Sequence, residues 1–417
     1  VPRQPSTPAA DQDRPGAVIV VLNLPVPDDH RVWAQAQTLH GAGARVTVVC
    51  PAIRGARPGT REIDGITVVY FRSFEGSGKL GTIVEGAWTT LTSTRAAKRA
   101  LSGMKGTSGP RHLQVCNPPD LLFRLLRWAR RRGVSTVYDQ HDVVPVLAAS
   151  RPSFRRLEPF FQSCERRTAA AADEILTPSG EQAERLQKLY GRTATVVRTA
   201  AVTGGNAGRA AGQAPGETVL GYLGVIGEQD GVVDLLEAVQ DLRGRGITGF
   251  RVEIAGDGPE LPAVRRRVEE LGLGDLVLLR GWLGRGEIDG FLDGIDAMVV
   301  PDPDVEFNHY CAMNKVTHAM AHSIPVVLRP LRENTRIAGE SGILARDMSL
   351  PAFADAIAVL LDTAPDERAA IGARLRADFD RELSWSTYAP RYLAAFGLVP
   401  VPTTTDDVVP ELTSEPA

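Results

Sequence analysis

Short apolar runs alternate with longer stretches in which apolar residues recur every three or four positions, and this alternation organises most of the chain. Continuous apolar runs fall at 17–22, 46–50, 66–71, 113–116, 136–138, 174–177 and 195–197, with amphipathic stretches such as 32–41, 121–132 and 153–172 between them. Strands apolar on both faces and separated by helices predict a parallel sheet covered on both sides. A second series of runs, at 219–223, 251–255, 276–279, 298–301, 325–328 and 343–345, alternates with helical patterns at 232–243, 260–271, 287–294 and 352–361. This predicts a second doubly wound unit. Between the two series, residues 203–216 are small and Gly-rich and read as a linker.

The pattern therefore divides the chain into a flexible tail (1–15), an N-terminal Rossmann-like domain (16–202), the linker (203–216), a C-terminal Rossmann-like domain (217–384), a terminal helix (385–398) and a second tail (399–417). Both tails are rich in Pro, Thr and Asp without periodicity. In the terminal helix Trp385, Tyr388, Tyr392 and Phe396 are spaced to bury one face.

Composition narrows the function classes. At 417 residues the chain is too long for one ordinary core. Apolar residues at 43% and charged residues at 23% are ordinary soluble-globular usage. A formal net charge of -3 gives no global field toward nucleic acid or an anionic membrane. No apolar run is long enough to span a membrane. The four cysteines contain no C-x-x-C pair, which argues against a disulfide framework or a structural zinc site. Together these features fit a cytoplasmic protein. Lysine is scarce, and Lys315 is the only one in the C-terminal half.

Open parallel sheets bind ligands at the carboxyl ends of their strands, so the chemistry belongs in the loops there. The loop after the first run lacks G-x-G-x-x-G, which argues against a nicotinamide or flavin cofactor. Asp29 and Arg31, at a helix start, read either as ligand contacts or as an N-cap with a solvated arginine. His141 follows a strand and is flanked by Asp139 and Asp142, either of which could fix its tautomer. Asp302, Asp304, Glu306 and His309 lack metal-ligand spacing and read as a solvated loop.

Several motifs in order resemble the GT-B glycosyltransferases, most closely family 4. They are Asp29-x-Arg31-Val32, Tyr138-Asp139-Gln140-His141-Asp142, Gly256-Asp257-Gly258-Pro259-Glu260, and Asn314-Lys315 with Met320-Ala321 and Pro325-Val326-Val327. The resemblance implies the GT-B architecture, two Rossmann-like doubly wound parallel-sheet domains facing a cleft, with the C-terminal helix crossing back to the N-terminal domain. It implies a retaining, metal-independent transfer from a nucleotide sugar as substrate, with no separate cofactor, to a small-molecule or glycan acceptor. His141 and Asp142 would be catalytic, with Asp29, Arg31 and Asp139 on the acceptor side. Gly224, Val225, Gly227, Asp230, Gly256, Gly258, Trp282, Asn314, Lys315, His318 and Glu333 would line the donor site.

Three of those positions depart from the family pattern. Val225 stands where the family has arginine, Asp230 where it has lysine, and His318 where it has a ribose-binding glutamate. Arg329, Arg332 and Lys315 are the cations left to replace the missing pair. The departures leave two alternatives beside an active enzyme: a catalytically silent homologue serving as a partner subunit, and a GT-B enzyme with a non-standard donor or coupling chemistry. Homo- and hetero-oligomers both stay open, and an Arg-rich composition with an atypical donor site points toward specialised metabolism.

Overall fold

The computed structural model describes residues 13–398 apart from 54, 75, 77, 105–108, 152–153, 200 and 202–216. The linker expected at 203–216, the tail at 399–417 and most of the tail at 1–15 lie outside the described residues. The chain divides into two compact units, one of residues up to Ala200 joined by 385–398, the other running from Ala201 to Ser384.

The first unit is built on β1 (Gly16–Val20), β2 (Arg45–Ala52), β3 (Gly59–Ile63), β4 (Ile66–Arg72), β5 (Arg111–Cys116), β6 (Ser135–Asp139), β7 (Glu174–Thr177) and β8 (Thr195–Val196). They form one sheet in the order β3-β4-β2-β1-β5-β6-β7-β8. Every pair is parallel except β3–β4. The central strands are buried from end to end because helices cover both faces, and their Val, Ile and Leu side chains need no polar alternation. Strand order reverses between β1 and β5, so the loops after β1, β5 and β6 gather at one switch point.

β3 does not follow from apolar patterning. Thr60, Arg61 and Glu62 are exposed on an edge strand, and pairing alone makes it a strand. Its turn carries the code: Asp64 and Gly65 take φ of 51° and 75°, the left-handed pair of a two-residue hairpin turn.

The terminal helix, Trp385–Ala394, belongs to this unit. Tyr388, Tyr392, Leu393 and Phe396 join the core formed with Ile19, Val48 and Val137. Each large side chain so buried contributes about 1.5–3 kcal/mol. Its polar tips are also placed: the Trp385 indole N–H donates to Thr38 Oγ1 (2.9 Å), and the Tyr392 hydroxyl to Gln114 Oε1 (2.7 Å).

The second unit holds β9 (Thr218–Leu223), β10 (Phe250–Ala255), β11 (Val277–Gly281), β12 (Ala297–Val300), β13 (Val326–Leu328) and β14 (Ile343–Leu344), all parallel, in the order β11-β10-β9-β12-β13-β14. Its switch point lies between β9 and β12. The helix Asn314–Ala321 buries Val316, Ala319 and Met320 against Val300 and Val326. Among the described residues no helix is long and apolar enough to cross a membrane.

Candidate functional site

In the first unit the residues singled out from the sequence converge at the β1/β5 switch. Asp29 caps the helix His30–Gly41, its Oδ1 accepting from the Val32 N–H at 3.0 Å. Arg31 is not a solvated arginine. It is 5% exposed and grips Asp139, with Nη2 to Oδ1 at 2.6 Å and Nε to Oδ2 at 3.2 Å, while Nη1 donates to the Val197 carbonyl at 2.6 Å. Asp139 is fully buried and also accepts from Gln35 (2.7 Å), Gln114 (3.2 Å) and His141 Nε2 (3.0 Å). Of the two carboxylates flanking His141, Asp139 is therefore the one that orients the ring.

This network sets charge states. Burial alone would raise the Asp139 carboxyl, but Arg31 and His141 outweigh it and hold the carboxyl well below its ordinary range. Burial alone would likewise lower His141, and Asp139 more than compensates, so the imidazole is held well above its ordinary value. The pairing with Asp139 therefore favours the charged form of the ring, which donates toward that carboxylate. Burial lifts the neighbouring Asp142 carboxyl.

Cys116, Asp139 and His141 bring ligand-type atoms within 4.8 Å of one another. Asp139 Oδ2, however, already accepts from four donors, and the Arg31 guanidinium lies on the same carboxylate. The chemistry of that donor set is an ion pair with its hydrogen bonds complete, not a cation cage.

Sequence reasoning passed over Asn117. Its Oδ1 accepts from the backbone N–H groups of His141 (2.6 Å) and Asp142 (3.1 Å), and its Nδ2 donates to the Asp142 carbonyl (2.7 Å), so one carboxamide fixes the loop that presents His141. Beneath it, Asp120 accepts from the Tyr138 hydroxyl at 2.5 Å, and burial beside Glu165 pushes its carboxyl up to about 7. The available signal was polar residues inside or directly after an apolar strand: Gln114 in β5, then Asn117 and Asp120.

In the second unit the β9 loop, Gly224 to Gly231, lies against the loop after β10. Gly224 N donates to the Ala255 carbonyl (3.1 Å) and Ile226 N to the Asp257 carbonyl (3.0 Å). Gly256 has φ +148°, and a Cβ built there would run into the Gly224 carbonyl oxygen; one at Gly258 would meet that of Ile226. These two glycines therefore permit close approach of two loops. Gly256→Ala is expected to cost about 2–4 kcal/mol through a strained φ and a backbone clash. Urea denaturation checks this, and a loss under about 0.5 kcal/mol, the range of an ordinary surface change, would remove the close-approach argument.

Lys315 sits at this switch point, 7% exposed, and its ammonium is already engaged. Nζ lies 2.9 Å from both oxygens of Asp302 and 4.7 Å from the centre of the Tyr222 ring. Burial opposes its charge, but Asp302, Tyr222 and Asp230 outweigh that and raise its pKa. Asp302 is thus no part of a solvated loop: it is 1% exposed and is the counterion of Lys315. The other acids there do face water, and Asp304 pairs with His309 at 2.8 Å. The arginines expected as substitute cations are also committed: Arg329 to Asp234 at 2.7 Å, Arg332 to Glu306 at 3.2 Å.

Asp230 folds back so that Oδ2 accepts from Gly227 N at 3.2 Å. Burial, with Asp302 adding to it against the pull of Lys315, lifts its carboxyl to about 6. Val225 and Trp282 are open to solvent, 55% and 67% exposed, as is Asn314. His318 is half-buried on the helix face beyond Lys315, and Glu333 is buried within 3.8 Å of Arg336.

Comparison with known proteins bears on the family and the fold. The profile described as "Glycosyl transferase 4-like domain" matches residues 29–201, and that described as "Glycosyl transferases group 1" matches 217–363. A GDP-mannose-dependent alpha-(1-6)-phosphatidylinositol dimannoside mannosyltransferase of Mycobacterium tuberculosis is 27% identical over 305 residues, 69% of this chain and 74% of that protein. An alpha-D-kanosaminyltransferase of Streptomyces kanamyceticus is 28% identical over 34% of this chain and 36% of its own. Among solved structures, sucrose-phosphate synthase from Thermosynechococcus elongatus superposes with a TM-score of 0.73 at 17% identity, covering 92% of this chain and 98% of that one.

Proposed function

The chain belongs to the GT-B glycosyltransferases of the group 1 and 4-like families, and from that premise we propose that it moves a sugar from a nucleotide-activated donor to a small-molecule or glycan acceptor, with retention and without a metal ion. In this reading the second unit takes the donor and the first the acceptor. The bond from the anomeric carbon to the donor phosphate breaks, and its electron pair leaves with the nucleoside diphosphate. The acceptor oxygen bonds to that carbon from the same face, and its proton passes to the departing phosphate oxygen.

The observation that carries the reading is Lys315. A buried ammonium at the β9/β12 switch, beside the glycine-containing β9 loop, is what a leaving diphosphate requires as its charge grows. In the first unit the His141 ring, oriented by Asp139 and biased by it toward the charged form, is better suited to donating to a sugar hydroxyl than to accepting a proton. Asp142 sits on the same clamped loop.

A second reading, a silent partner subunit, draws on one specific observation: the ammonium of Lys315 is already matched by Asp302. Calorimetric titration with UDP, GDP, ADP and TDP separates the two. The GDP-mannose dependence printed for the mycobacterial relative makes GDP the first to try. Micromolar binding of one nucleotide is the expected result. Failure of all four at millimolar concentration would leave the partner-subunit and non-standard-donor readings, and co-purification with an active glycosyltransferase would then favour the first.

A further inference from the structure

The β9 loop uses its amides unequally. Gly224 N, Ile226 N and Asp230 N are committed to backbone carbonyls of Ala255, Asp257 and Gly227. Gly227 N is instead given to a side chain, the Asp230 carboxylate. That carboxylate stands among Lys315 on the helix Asn314–Ala321, Asp302 after β12 and Tyr222 on β9, the charged and titratable groups that act on it. Two acids therefore share one ammonium, and one of them holds a backbone N–H of the loop a phosphate would approach.

We propose that Asp230 is a built-in anion occupying a phosphate-oxygen position of the donor site, so that an anionic donor binds by displacing its carboxylate from Gly227. This inference rests on the reading of the second unit as the donor site and adds a regulation to it. The geometry makes Asp230 exchangeable in a way Asp302 is not. Asp302 is bound through both oxygens and is almost fully buried, whereas Asp230 is half-buried and held by one 3.2 Å hydrogen bond from a glycine amide. Rotation of one side chain frees that amide without moving the backbone.

The charge follows the same logic. Burial has already lifted the Asp230 carboxyl to about 6, so its charge is present at pH 7.5 and mostly gone at pH 5.5. An incoming phosphate meets an extra negative charge at the higher pH and a neutral acid at the lower one. Donor affinity falls as pH rises through about 6. Since a terminal phosphate titrates near 6 itself, the ratio of wild type to variant isolates the protein's part.

The test is calorimetry on the full chain with inorganic pyrophosphate and with UDP, GDP, ADP and TDP, at pH 5.5 and 7.5, comparing wild type with Asp230→Asn. Asparagine keeps the shape and can still accept from Gly227, so folding is preserved, and Asp230→Ala with an unchanged denaturation midpoint serves as a second variant. The expected result is about tenfold tighter binding of the anion by Asp230→Asn at pH 7.5, shrinking to about twofold at pH 5.5. Equal affinities of wild type and variant at both pH values, or no pyrophosphate binding by either variant, overturns the proposal. If pyrophosphate binds the variant tightly while no nucleotide does, the built-in anion stands and the nucleotide reading falls. If a nucleotide binds wild type and variant alike, the reverse holds.

Discussion

Replacing Arg31 with methionine is expected to cost about 3–5 kcal/mol of stability at pH 7, because it takes the guanidinium from the Asp139 carboxylate where no water can reach it. Asp139 is fully buried, and Arg31 reaches both of its oxygens. Methionine conserves much of the stem's packing volume, so the loss reports charge more than cavity. The donors Gln35, Gln114 and His141 remain on Asp139, and none of them replaces the two contacts of the guanidinium.

The pH dependence has a definite sign. The folded-state value of Asp139 is depressed, so the stability it contributes is present above the ordinary carboxyl value of 3.8 and drains as pH falls toward the depressed one. Wild type loses that contribution in acid, and Arg31→Met has little of it to lose. The two denaturation midpoints therefore converge below about pH 4. Adding Asp139→Asn to Arg31→Met should recover part of the loss, since an amide needs no counterion. A deficit under about 1 kcal/mol at pH 7, the worth of an exposed pair, would show that Arg31 does not hold this carboxylate.

That network also shows where sequence reading stops. Strand runs and the helices between them are local patterns, and they lead to two parallel sheets because periodicity is set by which faces are buried. β3 escapes that logic, since an exposed edge strand has no apolar period, although Asp64-Gly65 is a hairpin signal in plain sight. The helix Gly78–Gly103 escapes it too, its glycines and threonines blurring an amphipathic stripe.

At the candidate site, position in the chain singles out His141, Asp142 and Lys315 as candidates but says nothing of their partners. Arg31 meets Asp139 across 108 positions, and Tyr392 meets Gln114 across 278. No local signal distinguishes Asp302, the buried counterion, from Asp304, which faces water two residues later. Charge pairing is a tertiary property, so Lys315, Arg329 and Arg332 look available in the sequence although each has an acid of its own.

With those cations paired, charge at positions 225 and 230 governs the second large effect. Val225→Arg combined with Asp230→Lys is expected to tighten binding of the preferred nucleoside diphosphate by about a hundredfold, measured by calorimetry at pH 7.5. A unit charge about 4 Å from a phosphate is worth about 4 kcal/mol at an effective dielectric of about 20. The two positions do not share that gain equally. Val225 is 55% exposed, so an arginine there is screened and holds its long side chain at an entropic cost, and it alone should give a few-fold gain at most. Position 230 is half-buried and faces Lys315 and Asp302. Lysine there removes an anion, frees the Gly227 amide and adds a cation that Asp302 can partly balance. Most of the gain should therefore appear in Asp230→Lys alone. If the double variant binds no more tightly than wild type while its denaturation midpoint is unchanged, diphosphate charge is not read at the β9/β12 switch. Lys315, tied to Asp302 through both oxygens, would then be a structural ion pair and not the anchor of a leaving group.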